Sequence, residues 1–172
     1  MLQETHQSLA SLDLTSDGNK MTSASSAEVM LLRLLPQQID RYWDFIKQAF
    51  DASLPDPSVA NKQKLLESIL VDRLQVWVIC RGLDAVKIRG IVVTVLIEDS
   101  ASGIKDCLVY AAHTFRPVSD SGWKAIDRAL CAFAEANHCD RITTITKEPR
   151  VLELMEEYGY DTSYHFVQKE LR

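Results

Sequence analysis

The sequence predicts an α/β protein of the α+β kind: a mixed central sheet of about six or seven strands flanked by about four helices. Three observations lead there. Apolar residues recur first at helical spacing, then gather into β-rich runs, then return to helical spacing. Three of the β-rich runs follow one another through short, turn-forming loops, the pattern of an antiparallel meander. Pro36 and Pro149 stand where helices open, and Gly159 stands where one closes.

Taken in order, Val29 to Leu34 is a short apolar run suited to a buried strand, and Pro36 ends it and begins a helix. Ile39, Trp43, Ile46 and Phe50 then follow at spacings of 4, 3 and 4, one stripe of that helix. Pro55 and Pro57 interrupt the chain before a second amphipathic helix that turns Leu65, Leu66, Ile69 and Leu70 inward. The meander strands are Leu74 to Cys80, Ile88 to Glu98 and Asp106 to Phe115, with turns expected at 81–84 and 99–103.

The period then changes. Trp123, Ile126, Leu130 and Phe133 lie 3, 4 and 3 apart, one face of a helix, with Ser119, Asp120 and Ser121 as N-cap choices ahead of it. Arg141 to Thr146 reads as a strand. Pro149 opens a short helix through Val151, Leu152 and Met155, and Gly159 is placed to cap its end. A final strand or hairpin is expected within Tyr160 to Leu171.

Residues 1–27 hold nine Ser or Thr and few large apolar groups. Such a stretch buries too little surface to offset its ordering entropy, so it is expected to be a flexible tail or one ordered by a partner. Residues 28–172 are expected to form one domain. A net charge of -5 argues against a nucleic-acid binder, which gathers Lys and Arg against phosphates. Cys80, Cys107, Cys131 and Cys139 share no metal-ligand spacing and read as reduced, packed thiols, so no metal is expected. No apolar run approaches the roughly 18 residues of a membrane span, and the N-terminus has no signal-peptide pattern. A cytoplasmic protein, or one inside a particle assembled in the cytoplasm, is expected.

The order of elements resembles the GNAT superfamily of N-acetyltransferases. The local phrases agree: Leu34-Leu35-Pro36 before an amphipathic helix, Trp77-Val78-Ile79 against Arg89-Gly90-Ile91-Val92-Val93, and Ala136-Asn137-His138-Cys139-Asp140-Arg141-Ile142 after the long helix. Val151 to Tyr160 is similar to the family's helix ending in glycine and an aromatic residue. The similarity covers roughly residues 29–171, and is greatest to the divergent GNAT-like proteins of bacteriophages.

That resemblance implies acyl-CoA, most simply acetyl-CoA, lying where the strands Asp106 to Phe115 and Arg141 to Thr146 part. Main chain at Tyr110, Ala111 and Ala112 would position the thioester. Arg116, Ser119, Ser121, Gly122 and Lys124 would hold the phosphates at the start of the next helix, where free amides and the helix dipole favour anions. The family's Gln/Arg-x-x-Gly-x-Gly/Ala pattern is not kept: in one register Ser119 and Lys124 take its first and last places, in the other Pro117 and Asp120 intrude. The segment reads either as a phosphate loop or as a plain helix cap.

Two further positions depart from the family. Glu148 stands where it places Asn, and Met155, which has no proton to give, stands where it places the Tyr that protonates the departing thiolate. Tyr158 is then the substitute acid, or a packing residue. His113 is the candidate base, or a sheet histidine; Glu98 and Asp99 are the alternatives. Two functions follow from the resemblance: an N-acyltransferase acting on an amine acceptor with a degenerate site, or an inactive GNAT-fold binding or structural protein, such as a viral assembly component using its tail for protein partners.

Overall fold

The structure, a computed structural model, describes residues 29–53, 59–82, 88–146, 148–165, 167 and 169. The expected tail, residues 1–27, lies outside them. The elements run β1 (Val29–Arg33), a 3-10 turn (Pro36–Gln38), α1 (Ile39–Ser53), α2 (Val59–Leu70), β2 (Leu74–Arg81), β3 (Ile88–Glu98), β4 (Lys105–Thr114), α3 (Asp120–Ala136), β5 (Arg141–Thr144) and α4 (Pro149–Glu157). The sheet order is β1-β2-β3-β4-β5, antiparallel from β1 to β4, with β5 joined parallel to β4.

Helices cover both faces of this sheet. On one face Ile39, Ile46 and Phe50 of α1 and Leu65 and Ile69 of α2 pack against Val76, Val78, Ile91, Val93 and Ala111. On the other, Ile126 and Leu130 of α3 pack against Trp77, Ile79 and Val92. Burial from both sides explains why β2 and the middle of β3 read as near-continuous apolar runs. Two polar side chains enter that interior, Gln75 and Thr94, and they satisfy each other. Trp77 Nε1 donates to Thr94 Oγ1 (3.0 Å), Thr94 Oγ1 to Gln75 Oε1 (3.2 Å), and Gln75 Nε2 to the Asp72 carbonyl (2.8 Å).

Three helix ends share one closing turn, in which the amide two residues past the cap reaches back five residues. At the end of α2, Arg73 N–H bonds the Ser68 carbonyl, with Asp72 at φ 59. Past α3, Cys139 N–H bonds Ala134, with His138 at φ 56. After α4, Tyr160 N–H bonds Met155, with Gly159 at φ 84. Gly159 is thus the expected cap; Asp72 and His138 hold a backbone conformation that costs any residue with a Cβ.

Three expectations are corrected. The described residues form five strands, not six or seven, and 160–165, 167 and 169 enter no ladder. The turn at Gly159 draws Tyr160 against α3, where its hydroxyl donates to Asp127 Oδ1 (2.8 Å). Beyond it Tyr164 is 84% and Val167 88% exposed, and the remaining residues of the segment lie outside those described. Leu70, the last residue of α2, is exposed although its neighbour Ile69 is buried. Along α1 the fully covered stripe is Ile39, Tyr42, Ile46, Ala49 and Phe50, with Trp43 only half-buried at its margin.

Candidate functional site

β4 and β5 are pinned at one end and free at the other. At the pinned end Arg141 makes a two-pronged ion pair with Asp106 (2.8 and 2.9 Å), a geometry that fixes register as well as charge. Lys105 N–H donates to Asp140 Oδ2 (2.8 Å), Asp140 N–H to the Lys105 carbonyl (2.7 Å), and Lys105 Nζ to the Asn137 carbonyl (2.8 Å). Pairing then runs over four positions, Asp106 with Arg141 through Val109 with Thr144, and stops. Thr144 Oγ1 donates to the Val109 carbonyl (3.4 Å) at the last rung. β4 continues without β5 for five more residues, Tyr110–Thr114, still paired with β3 from Ala111 on.

β4 carries an irregularity at the same position. Its register against β3 passes from Val109 opposite Thr94 to Ala111 opposite Val93, which leaves Tyr110 as an extra residue. Such a bulge bends and twists the strand that carries it. β5 ends at Thr144, the last paired position, so beyond Val109 the far half of β4 has no strand on that side among the described residues. Ser53 at the end of α1 brings its Oγ within 3.5 Å of the Ala112 carbonyl.

The start of α3 lies at the loop that leaves this free end. Ser119 caps it: its Oγ accepts the Gly122 amide (3.2 Å) and lies 3.1 Å from Ser121 Oγ. The Asp120 and Ser121 amides have no acceptor among the described residues, as a helix's first turn dictates. Arg116 and Lys124 are exposed on either side, and Asp120 places a carboxylate among them. Gly122 is buried, and a Cβ there would lie 2.8 Å from Val118 Cγ1 and 3.1 Å from Val29 Cγ2. Its lack of a side chain lets α3 close onto β1, so its contribution to the niche is indirect.

The remaining residues singled out from the sequence fall on both sides of the gap. Tyr110 is 44% exposed at the bulge, its ring 6.2 Å from that of Phe50. Ala111 is buried under α1, and Ala112 is exposed. His113 is half-buried on the face covered by α1, its ring edge-on to Phe115 at 5.1 Å. Tyr158, at the end of α4, donates its hydroxyl to the Asp120 carbonyl (3.3 Å), which sets it beside the α3 N-terminus. Burial, and then the negative charge of Asp120, raise its pKa, so the phenol keeps its proton near neutrality. Glu98 and Asp99 lie at the pinned end, where backbone amides of Ala101 and Ser102 hold Asp99 below the usual carboxylate range.

Three residues near the gap had no signal in the sequence: Ser53, Thr144 and Arg89. Arg89 sits on β3 opposite the loop, where it accepts and donates hydrogen bonds to 115–117. Among the described residues there is no group of three or more His, Cys, Asp or Glu able to hold a metal, and no helix long and apolar enough to cross a membrane.

With a five-stranded mixed sheet, its last strand joined parallel, and four helices, the chain has the mixed α+β architecture expected of a GNAT-like fold. Solved structures agree. A candidate acetyl transferase from Pyrococcus furiosus superposes with a TM-score of 0.61 at 16% identity, over 84% of this chain and 100% of that one. The aminoglycoside acetyltransferase AAC(6')-Iy bound to the bisubstrate analogue CoA-S-monomethyl-acetylneamine gives 0.61 at 14%, over 84% and 99%. A protein described as a transcriptional regulator from Bacillus halodurans C-125 gives 0.62 at 14%, over 84% and 100%. At such identities the likeness establishes the fold. No family model matches the sequence, and neither does any curated protein.

Proposed function

We propose that the chain is a GNAT-type acyl-CoA-dependent N-acyltransferase, transferring an acyl group, most simply acetyl, to an amine. One observation carries this reading: the parallel β4–β5 pairing ends after four positions, beside a bulge in β4 and ahead of a helix whose first two amides have no acceptor among the described residues. An extended pantetheine arm needs such a slot, and a diphosphate needs such amides. The bisubstrate complex of AAC(6')-Iy supports it, since a ligand joining CoA to an acylated amine is held by a protein of this fold.

In this reading the Asp120 and Ser121 amides, with Arg116 and Lys124, hold the diphosphate against the repulsion of the Asp120 carboxylate. Main chain at Tyr110–Ala112 aligns the thioester. His113, on the α1 face, takes the proton of the attacking amine, directly or through water. Tyr158 carries the proton available to the departing thiolate. Met155 cannot supply it, and the Tyr158 hydroxyl is already engaged by the Asp120 carbonyl; this pair of facts favours a second reading, a protein that binds acyl-CoA without turning it over.

Acetyl-CoA is titrated while the melting temperature is followed. Saturation at about a hundred times Kd adds about 2.7 kcal/mol, several degrees for a domain of this size. No shift at millimolar acetyl-CoA removes both readings. A shift accompanied by thiol release over a panel of primary amines establishes the enzyme, and a shift without release leaves the binding protein.

A further inference from the structure

We infer that Arg89 is the positioning residue of the diphosphate niche, doing with one side chain and one carbonyl what a glycine-rich loop would otherwise do. The inference rests on the acyl-CoA reading of the same site. Between the end of β4 and the Ser119 cap lie four residues, Phe115, Arg116, Pro117 and Val118, and three of them are tied to Arg89. Its carbonyl accepts both the Phe115 amide (2.7 Å) and the Arg116 amide (3.2 Å). Its Nη1 donates to the Pro117 carbonyl (2.7 Å).

The consequences are mechanical and electrostatic. A loop held at three successive residues has one path, so the direction in which α3 starts, and with it the Asp120 and Ser121 amides, is set from β3. Pro117 suits this arrangement, because the position bound through its carbonyl needs no amide. Gly90, next along β3, permits the approach: a Cβ there would lie 2.6 Å from the His113 carbonyl. The guanidinium also brings a fixed positive charge behind a loop whose helix opens with an acid, Asp120. Its Nε is buried with no acceptor, the only such side-chain atom among the described residues.

The test uses the full chain with Arg89→Met and Arg89→Lys, and two probes, acetyl-CoA and S-acetylpantetheine, which lacks the diphosphate and nucleotide. Affinities are measured by calorimetry. Arg89→Met is expected to lower the ratio of acetyl-CoA to S-acetylpantetheine affinity about tenfold, the loss of one charged hydrogen bond's influence, and Arg89→Lys to restore part of it. A general structural role weakens both thioesters alike, and an unchanged ratio overturns the inference. Hydrogen exchange in the ligand-free protein separates this from failure of the acyl-CoA reading. Amides of Phe115 and Arg116 are expected to exchange at least tenfold faster in Arg89→Met, whatever the ligand. Unchanged protection overturns the loop-holding role even if acetyl-CoA binds.

Discussion

Ser119→Asp separates the two jobs that the start of α3 is asked to do. Ser119 Oγ caps the helix by accepting the Gly122 amide. Aspartate caps as well as serine, and a carboxylate at a helix N-terminus gains a few tenths of a kcal/mol from the dipole, so stability should stay within about 0.5 kcal/mol of wild type. The same carboxylate would face the ligand's diphosphate. Two unit charges at about 4 Å repel by about 1 kcal/mol in water and about 4 kcal/mol at an effective dielectric of 20. Ser119 is exposed, so the lower end applies, and the affinity for acetyl-CoA should fall roughly fivefold. Ser119→Ala is the complementary control: it loses the cap, about 1 kcal/mol or roughly 2–4 °C, while binding stays within about threefold. Urea midpoints and calorimetric Kd values read both quantities. Ser119→Asp binding acetyl-CoA as tightly as wild type would refute the anion niche.

Three further outcomes follow from the fold. Thr94→Val leaves Trp77 Nε1 without an acceptor and Gln75 Oε1 without a donor in the core, costing about 2 kcal/mol by urea denaturation; an unaltered midpoint contradicts the polar chain. His138→Gly relieves the φ 56 turn after α3 and should stabilise by about 0.5–1 kcal/mol, measured the same way, with no gain counting against the strained cap. Burial pushes the Cys107 thiol up to about 11, and burial with the Asp127 hydrogen bond drives Tyr160 far above the usual phenol value. Both groups have raised pKa values in the folded state. Their contribution is therefore complete below about pH 9 and is lost as pH rises, first through 9–11 for Cys107 and then above 10 for Tyr160. Tyr160→Phe should flatten the alkaline decline above pH 10, and an identical decline removes that assignment.

Much of the scaffold was legible because single residues declare it. β3 begins and ends at Ile88 and Glu98 as read, Ser119 is the α3 cap, and Pro149 and Gly159 bracket α4. What was not legible depends on the third dimension. The bulge at Tyr110 leaves no mark in Cys107-Leu108-Val109-Tyr110-Ala111-Ala112, where every residue is apolar or amphipathic and either face is plausible. Gly122 read as a loop glycine, yet its requirement comes from Val29, far away in sequence. Arg89 was one basic residue at a strand start, and its work on 115–117 exists only across the β3–β4 pair. The segment from Tyr160 reads as a strand or hairpin, yet its described residues enter no ladder.

Everything turns on whether the slot beyond Val109 and the first turn of α3 receive acyl-CoA together. The direct measurement is a nitrogen-15 amide spectrum of the full chain titrated with acetyl-CoA. The largest shifts are expected at Tyr110–Ala112 and at Asp120 and Ser121, saturating together with one affinity. Spectra unmoved at millimolar acetyl-CoA, or shifts confined to residues away from both segments, would contradict the account.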